Sequence, residues 1–216
     1  MGERVAIYGG SFDPVHFGHL WAAQNALELC HLDRVIFVPA ATSPLKPHGP
    51  VASNAQREMM LRLALAGVMD REGRPSMVID NRELCRGGIS YTVDTVEEIA
   101  RERPDDELFL LIGSDAFAAI RQWHRPADLL ATITPIIFRR GGEPEIDWDL
   151  LDGLISSHRA EQIRKLSIRL PLIEVSSRDI RDRVAQGRGI RFLVPHAVHA
   201  LIDAESLYQP TVSSPG

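Results

Sequence analysis

Two histidines, His16 and His19, stand three positions apart, downstream of a glycine pair, Gly9-Gly10, and an Asp13-Pro14 step. Each type has a use. Glycines let the backbone turn and let a phosphate approach the main chain. Asp13 can bond its own backbone and Pro14 sets φ, which favours a fixed turn. A helix starting near Phe17 would point its unpaired N–H groups into the same space. His16 and His19 would then share one face of its first turn, with Gly18 between them leaving room for a ligand. Two imidazoles, a helix N-terminus and glycine backbone, with Ser11 and Phe12 in the turn, make a cradle for a polyphosphate. The string does not fit the GxGxxG of dinucleotide oxidoreductases. It does not fit the GxxxxGK[ST] of P-loop proteins either.

Further residues bear on chemistry downstream. Gly113-Ser114-Asp115 follows an apolar run, and Trp123 comes shortly after. Gly113 would let a nucleoside approach, Asp115 could accept ribose hydroxyls, and Trp123 offers a flat face for a ring. The same residues would also serve as a helix cap and a core tryptophan. Ser90-Tyr91-Thr92 precedes a helix and could be an ordinary cap. Ser176-Ser177-Arg178, with Arg181 one turn on, could offer hydroxyls, N–H groups and a planar guanidinium to phosphates, or simply cap a helix. Lys46 lies in a proline-rich loop and Arg57 on a helix, where each could be a solvated charge. His196 and His199 form an HxxH with no third ligand nearby, so no metal held by protein side chains is expected.

The elements that must position these residues follow from periodicity. Apolar runs at residues 4–8, 34–38, 76–81, 108–112 and 133–139, with a weaker one at 168–174, read as strands. Helical stretches are predicted over 17–29, with Leu20, Ala23, Leu27 and Cys30 on one side, and over 54–68 with Ser53 as N-cap. Others are predicted over 92–103, 177–185 and 196–204. Continuous apolar strands alternating with helices imply an α/β, Rossmann-like doubly wound parallel sheet. In such a sheet ligands bind beyond the carboxyl ends of the strands, where Gly9-Gly10 and Gly113 lie. Loops are expected over 40–52 and 141–147. One domain is expected over 1–210, its C-terminal helical part at about 176–208, with a flexible tail over 211–216.

The chain has 216 residues, 44% of them hydrophobic, enough for a sizeable core. A net charge of −5 without a basic stripe disfavours nucleic acid as a partner. No apolar run is long enough to span a membrane and no signal peptide is expected. Cys30 and Cys85 read as buried or partly buried free thiols, in keeping with a cytoplasmic location.

The string Gly9-Gly10-Ser11-Phe12-Asp13-Pro14-Val15-His16-Phe17-Gly18-His19 resembles the first motif, GxFDPxHxGH, of the (H/T)xGH nucleotidyltransferase superfamily. Gly113–Trp123 resembles the GxDxxxxxxxW segment of bacterial nicotinate-nucleotide adenylyltransferases, and Ser90-Tyr91-Thr92 their SYT. Val175–Arg181 is similar to their ISSTxIR, with Val for Ile and with Arg178 in place of Thr. The resemblance runs from near residue 5 to Tyr208. It implies a nucleotidyltransferase-type fold and adenylyl transfer from ATP, with Mg²⁺, to nicotinate mononucleotide in NAD biosynthesis. It implies catalytic roles for His16, His19, Lys46 and Arg181. It implies an ATP site from Gly9, Gly10, Ser11, Phe12, His16, Gly18, His19, Gly113, Asp115, Ser176, Ser177, Arg178 and Arg181. It implies a mononucleotide site from Ser11, Lys46, Tyr91, Thr92 and Trp123. Transfer to another phosphate acceptor such as phosphopantetheine, and a non-catalytic nucleotide-binding module, are the rival readings. A homo-oligomer is compatible with the sequence.

Overall fold

The computed structural model describes residues 2–44, 49–140, 144–171 and 173–210. Among them lies one six-stranded sheet: β1 (Arg4–Gly10), β2 (Arg34–Pro39), β3 (Met77–Ile79), β4 (Glu107–Gly113), β5 (Thr134–Arg140) and β6 (Ser167–Leu170). The spatial order is β3-β2-β1-β4-β5-β6 and every recorded pairing is parallel. The chain winds outward from β1 to β3 and then returns to the other side of β1 with β4. The switch point of the sheet therefore falls between β1 and β4.

Helices connect the strands: α1 (Phe17–Leu29), α2 (Asn54–Leu65), α3 (Arg82–Arg86), α4 (Thr92–Glu102), α5 (Ser114–Ala118), α6 (Pro126–Thr132), α7 (Ser157–Arg164), α8 (Ser177–Ala185) and α9 (His196–Ala204). Alternating strand residues face opposite layers, as the two-residue period of a strand requires. Ala6, Tyr8, Val35, Phe37, Phe109 and Leu111 join a core with residues of α1, α2, α8 and α9. Val5, Ile7, Ile36, Val38, Leu110 and Ile112 join a second core with residues of α4, α6 and α7. Burying both faces explains why these strands read as unbroken apolar runs.

The expected doubly wound sheet is present, with adjustments at its margins. Helix α2 stops at Leu65 instead of running on to 68, two residues short of Gly67, whose φ is +78°. Strand β6 occupies Ser167–Leu170 instead of 168–174, because Pro171 cannot donate to a ladder. Leu20 and Leu27 are only partly buried on α1, and the stripe packed against the sheet is Ala22, Ala23 and Ala26. Cys30 is buried as expected, but Cys85 is exposed, since it sits on the short, outer α3. Both thiols are free. Among the described residues no helix is long and apolar enough to cross a membrane.

Candidate active site

The strands β1 and β4 pair in register as far as Ile7 and Leu110. Each then runs three residues further, to Gly10 and Gly113, and the two parted ends open the crevice of the switch point. A Cβ placed on Gly9 would meet nothing within 4 Å. This backbone faces open space, as the approach of a ligand requires. At Gly113 a Cβ would come within 2.5 Å of Asp115 Oδ1. The exposed Asp115 carboxylate thus folds back over the end of β4.

Between Gly10 and α1 the chain makes a rigid turn. Phe12 has φ +47° and is 1% exposed. This backbone region costs a non-glycine residue on the order of 1–3 kcal/mol. The strain is offset by burial of the ring against Tyr8, Phe37 and His19. The carbonyls on either side of Phe12 are each held by a guanidinium. Arg57 Nη1 donates to Ser11 O at 2.7 Å, and Arg181 Nη1 donates to Asp13 O at 2.6 Å. Arg57 is fully buried, so the exposed-charge alternative does not apply to it. Burial lowers its pKa while the Asp13 charge opposes that shift.

His16 is buried and forms the N-cap of α1. Its backbone N–H donates to His19 Nδ1 at 3.3 Å, and the two imidazoles stack with centroids 3.7 Å apart. Gly18 does not leave room for a ligand as expected. A Cβ there would lie 2.9 Å from Val175 Cγ1 and 3.1 Å from the His16 ring. The space is taken by those two side chains, and glycine is needed for their close approach to α1.

Helix α8 brings its N-terminus to the same turn. Ser176 is its N-cap and accepts from Asp179 N at 3.0 Å, so the capping role holds for this residue. The Ser177 hydroxyl donates to Pro14 O at 2.9 Å. In this structure both hydroxyls serve the protein itself. Arg178 is exposed and Arg181 half-buried.

The second cluster of expected residues adjoins the first through backbone contacts. Ala40 N donates to Gly10 O at 2.9 Å, and Ala41 N donates to Ser90 Oγ at 3.3 Å. Thr42 and Ile89 form a parallel bridge. Tyr91 is the N-cap of α4 with no side-chain cap hydrogen bond, and Thr92 is its first residue. Neither Ser90 nor Thr92 acts as the cap. Tyr91 packs against His124, the rings tilted by 35° with centroids 4.4 Å apart. Trp123 is half-buried against the second core, and its indole N–H is buried without a hydrogen-bond partner. Lys46 lies outside the described residues. The far side of its loop is tied to the phosphate turn, with Val51 N and Ala52 N donating to the Asp13 carboxylate at 2.7 and 3.1 Å.

The HxxH pair is accounted for by its own helix: His199 Nε2 lies 3.4 Å from Asp203 Oδ2, and His196 starts α9. Sequence reasoning passed over four residues that shape the site: Asp13 as a hub, Tyr208, His124 and the buried Glu83 behind Ser90. Of these, Asp13 carried a signal as the turn-former before Pro14 and His124 as an aromatic neighbour of Trp123, while Tyr208 and Glu83 carried none.

A parallel sheet whose switch point carries two glycine-ended strands, a paired-histidine helix start and a second helix N-terminus defines a nucleotidyltransferase. Residues 7–183 match the family model described as cytidylyltransferase-like. A Rhodopirellula baltica protein named "probable nicotinate-nucleotide adenylyltransferase" is 47% identical over 205 residues, 95% of this chain and 93% of its own length. A Pseudomonas fluorescens protein of the same name is 38% identical over 221 residues, 97% and 99% of the two chains. The structure of Plasmodium falciparum nicotinic acid mononucleotide adenylyltransferase complexed with NaAD superposes with a TM-score of 0.71 at 17% identity, over 95% of this chain and 97% of that one. That likeness is one of fold. The chain belongs to the nicotinate-nucleotide adenylyltransferase family.

Proposed function

We infer that this protein transfers the adenylyl group of ATP to nicotinate mononucleotide, giving nicotinate adenine dinucleotide and pyrophosphate in NAD biosynthesis. The observation that carries the chemistry is the stacked His16–His19 pair at the N-terminus of α1, on the turn that follows Gly9-Gly10. The acceptor is supported by the relatives' names and by the Tyr91, Thr92, Trp123 and His124 cluster beside it.

A phosphate oxygen of the mononucleotide attacks the α-phosphorus of ATP in line. A P–O bond forms, the bond to the bridging oxygen breaks, and pyrophosphate leaves with the electron pair. Catalysis of this step is positioning plus stabilisation of charge on the leaving group. His19 accepts a backbone N–H at Nδ1, which assigns the ring proton to Nε2 as a donor for a phosphate oxygen. His16, Arg181 and the first amides of α8 add donors, and the turn of Gly9, Gly10, Ser11 and Phe12, with Gly18, shapes the cradle. Asp115 serves the ribose hydroxyls and Arg178 the rim of the triphosphate site. Lys46 is assigned to the phosphates on the family resemblance alone.

Among the described residues no group of three His, Cys, Asp or Glu side chains can hold a metal, and the Asp13 carboxylate already accepts three hydrogen bonds. The residues therefore fit a Mg²⁺ carried on the triphosphate rather than one caged by side chains. Such an ion neutralises charge on the phosphates.

At the pyridine end, Tyr91, Trp123 and His124 offer aromatic faces. The first amides of α4, at Thr92 and Val93, lack intrahelical acceptors and lie at the positive end of the helix dipole. That suits a carboxylate and supports the acid over the amide form of the mononucleotide. The two free thiols fit a cytoplasmic location.

The test is pyrophosphate release from Mg·ATP with nicotinate mononucleotide, its amide analogue and phosphopantetheine as separate acceptors. Turnover with the acid form above the other two is expected. Turnover with phosphopantetheine alone would overturn the acceptor, and ATP binding without turnover would favour a non-catalytic module.

A further inference from the structure

Asp13 is 2% exposed, and its charge must be satisfied inside the protein. The partners come from three distant parts of the chain. Oδ2 accepts Val51 N at 2.7 Å, and Oδ1 accepts Ala52 N at 3.1 Å, so the carboxylate anchors the far side of the loop over 40–52. Oδ1 also accepts the phenolic O–H of Tyr208 at 2.8 Å, from 195 positions further along the chain. Arg181 Nη1 lies 3.7 Å from Oδ2 while donating to the Asp13 carbonyl.

Tyr208 is held in place by its own surroundings. It follows α9 with φ +63°, and its hydroxyl also lies 3.9 Å from Met60 Sδ on α2. Leu207 beside it is buried in the first core. The same helix α2 supplies Arg57, which holds Ser11 O on the other side of Phe12. The phosphate turn is thus bracketed, with Arg57 at Ser11 and with Tyr208 and Arg181 at Asp13.

We propose that Tyr208 is a positioning residue of the nucleotide site, its hydroxyl orienting the Asp13 carboxylate so that the turn, the returning loop and Arg181 are held in the geometry that receives the triphosphate. Tyr208 occupies one oxygen of Asp13 with a neutral donor, so Arg181 stays on the side of Oδ2 and the backbone carbonyl. Burial, and then the neighbouring Asp13 charge, push the phenol well above its ordinary range. It remains a donor throughout the working pH. Without the hydroxyl the carboxylate keeps Val51 N and Ala52 N as hydrogen-bond donors, and its orientation relative to Arg181 is held less tightly. The segment after α9 is on this account part of the ATP site, although no residue near it in sequence carries phosphate chemistry.

The inference rests on the adenylyl-transfer reading and is tested with Tyr208→Phe, which keeps the ring and removes only the hydroxyl. Loss of a hydrogen bond to a buried charge predicts a fall of about tenfold in kcat/KM for ATP. The KM for nicotinate mononucleotide should change less than that for ATP, because Tyr91, Thr92 and Trp123 are held by elements that Asp13 does not touch. Amide exchange at Val51 and Ala52 should quicken in the variant. Wild-type kinetics for both substrates, whatever the melting temperature, would overturn the proposal. If Tyr208→Phe does not fold, the wild-type protein decides. A non-hydrolysable ATP analogue with Mg²⁺ should slow amide exchange over residues 205–210, and exchange unchanged there overturns the proposal. A wild-type protein inert toward nicotinate mononucleotide would sink the reaction instead, while the exchange measurement still judges Tyr208.

Discussion

The imidazoles of His16 and His19 stack at 3.7 Å with 26° between their planes, and the backbone N–H of His16 ends on His19 Nδ1. One hydrogen bond thereby fixes both the orientation of the second ring and the nitrogen that carries its proton. In the proposed mechanism the pair acts as a preorganised donor set, which is worth more at a developing charge than mobile side chains of the same kind.

Replacing His19 with Ala removes the Nδ1 acceptor of that bond and the Nε2–H donor offered to the phosphates together. Turnover should fall on the order of a hundredfold or more, the usual cost of deleting a donor aimed at transition-state charge. His19 is only half-buried, so melting should shift by no more than a few degrees. Pyrophosphate release under saturating substrates measures the first and calorimetry the second. A near wild-type rate would remove His19 from the mechanism.

How much of this was legible depends on the distance over which each feature is encoded. Helix α1 carries its boundaries locally, and its predicted span of 17–29 agrees with the structure, as do those of α8 and α9. The histidine pair is equally local, since the two rings stand three positions apart at one helix start. Helix α7 was not read, because in SHRAEQIR only Ala160 and Ile163 are buried and no stripe forms. The short α3, α5 and α6 span too few residues to show a period. The bond between Asp13 and Tyr208 could not be read, as nothing in local sequence ties positions 195 apart. Arg57 was ambiguous for the same reason: its burial is a property of the packed layers and not of helix α2 alone.

Gly18→Ala probes the packing that holds His16. The new methyl carbon would lie 2.9 Å from Val175 Cγ1 and 3.1 Å from the imidazole, so one of them must give way. Overpacking of this kind costs about 1–3 kcal/mol. Displacement of His16 should lower kcat by about tenfold or more, as small misplacements of catalytic groups do. Val175→Ala in the same chain should restore part of the activity by making room. A double variant no faster than Gly18→Ala would argue that the glycine matters for backbone reasons instead.

Trp123 has a structural and a binding face, and the two can be separated. Trp123→Ala should raise the KM for nicotinate mononucleotide more than the KM for ATP, and His124→Ala should do the same with a smaller stability cost, since His124 is exposed. The indole contributes to the second core, so Trp123→Ala should also destabilise by roughly 2–4 kcal/mol. Equal losses for both substrates in the tryptophan variant, with none in His124→Ala, would leave Trp123 with its packing role alone.

Glu83 gives a prediction of the opposite kind, on stability and pH. Its carboxylate is 6% exposed and accepts the Thr95 hydroxyl at 2.6 Å, while Arg86 donates to the same hydroxyl at 3.0 Å. Burial raises its pKa above the ordinary carboxylate value, against the opposing hydrogen bonds from Thr95 and Ser90 and the charge of Arg86, with Asp80 adding to the rise. A group whose pKa is raised on folding binds its proton more tightly in the folded state. Its contribution to stability is therefore fully present below the unfolded pKa of about 4.3 and is lost as pH rises through the folded value. Glu83→Gln keeps an acceptor for Thr95 and cannot ionise. The melting temperature of the variant relative to wild type should accordingly rise as pH is raised from below about 4.3 to neutrality, measured by calorimetry in matched buffers. A difference that stays flat or falls over that interval would mean that Arg86 and the two hydroxyls compensate the buried charge completely.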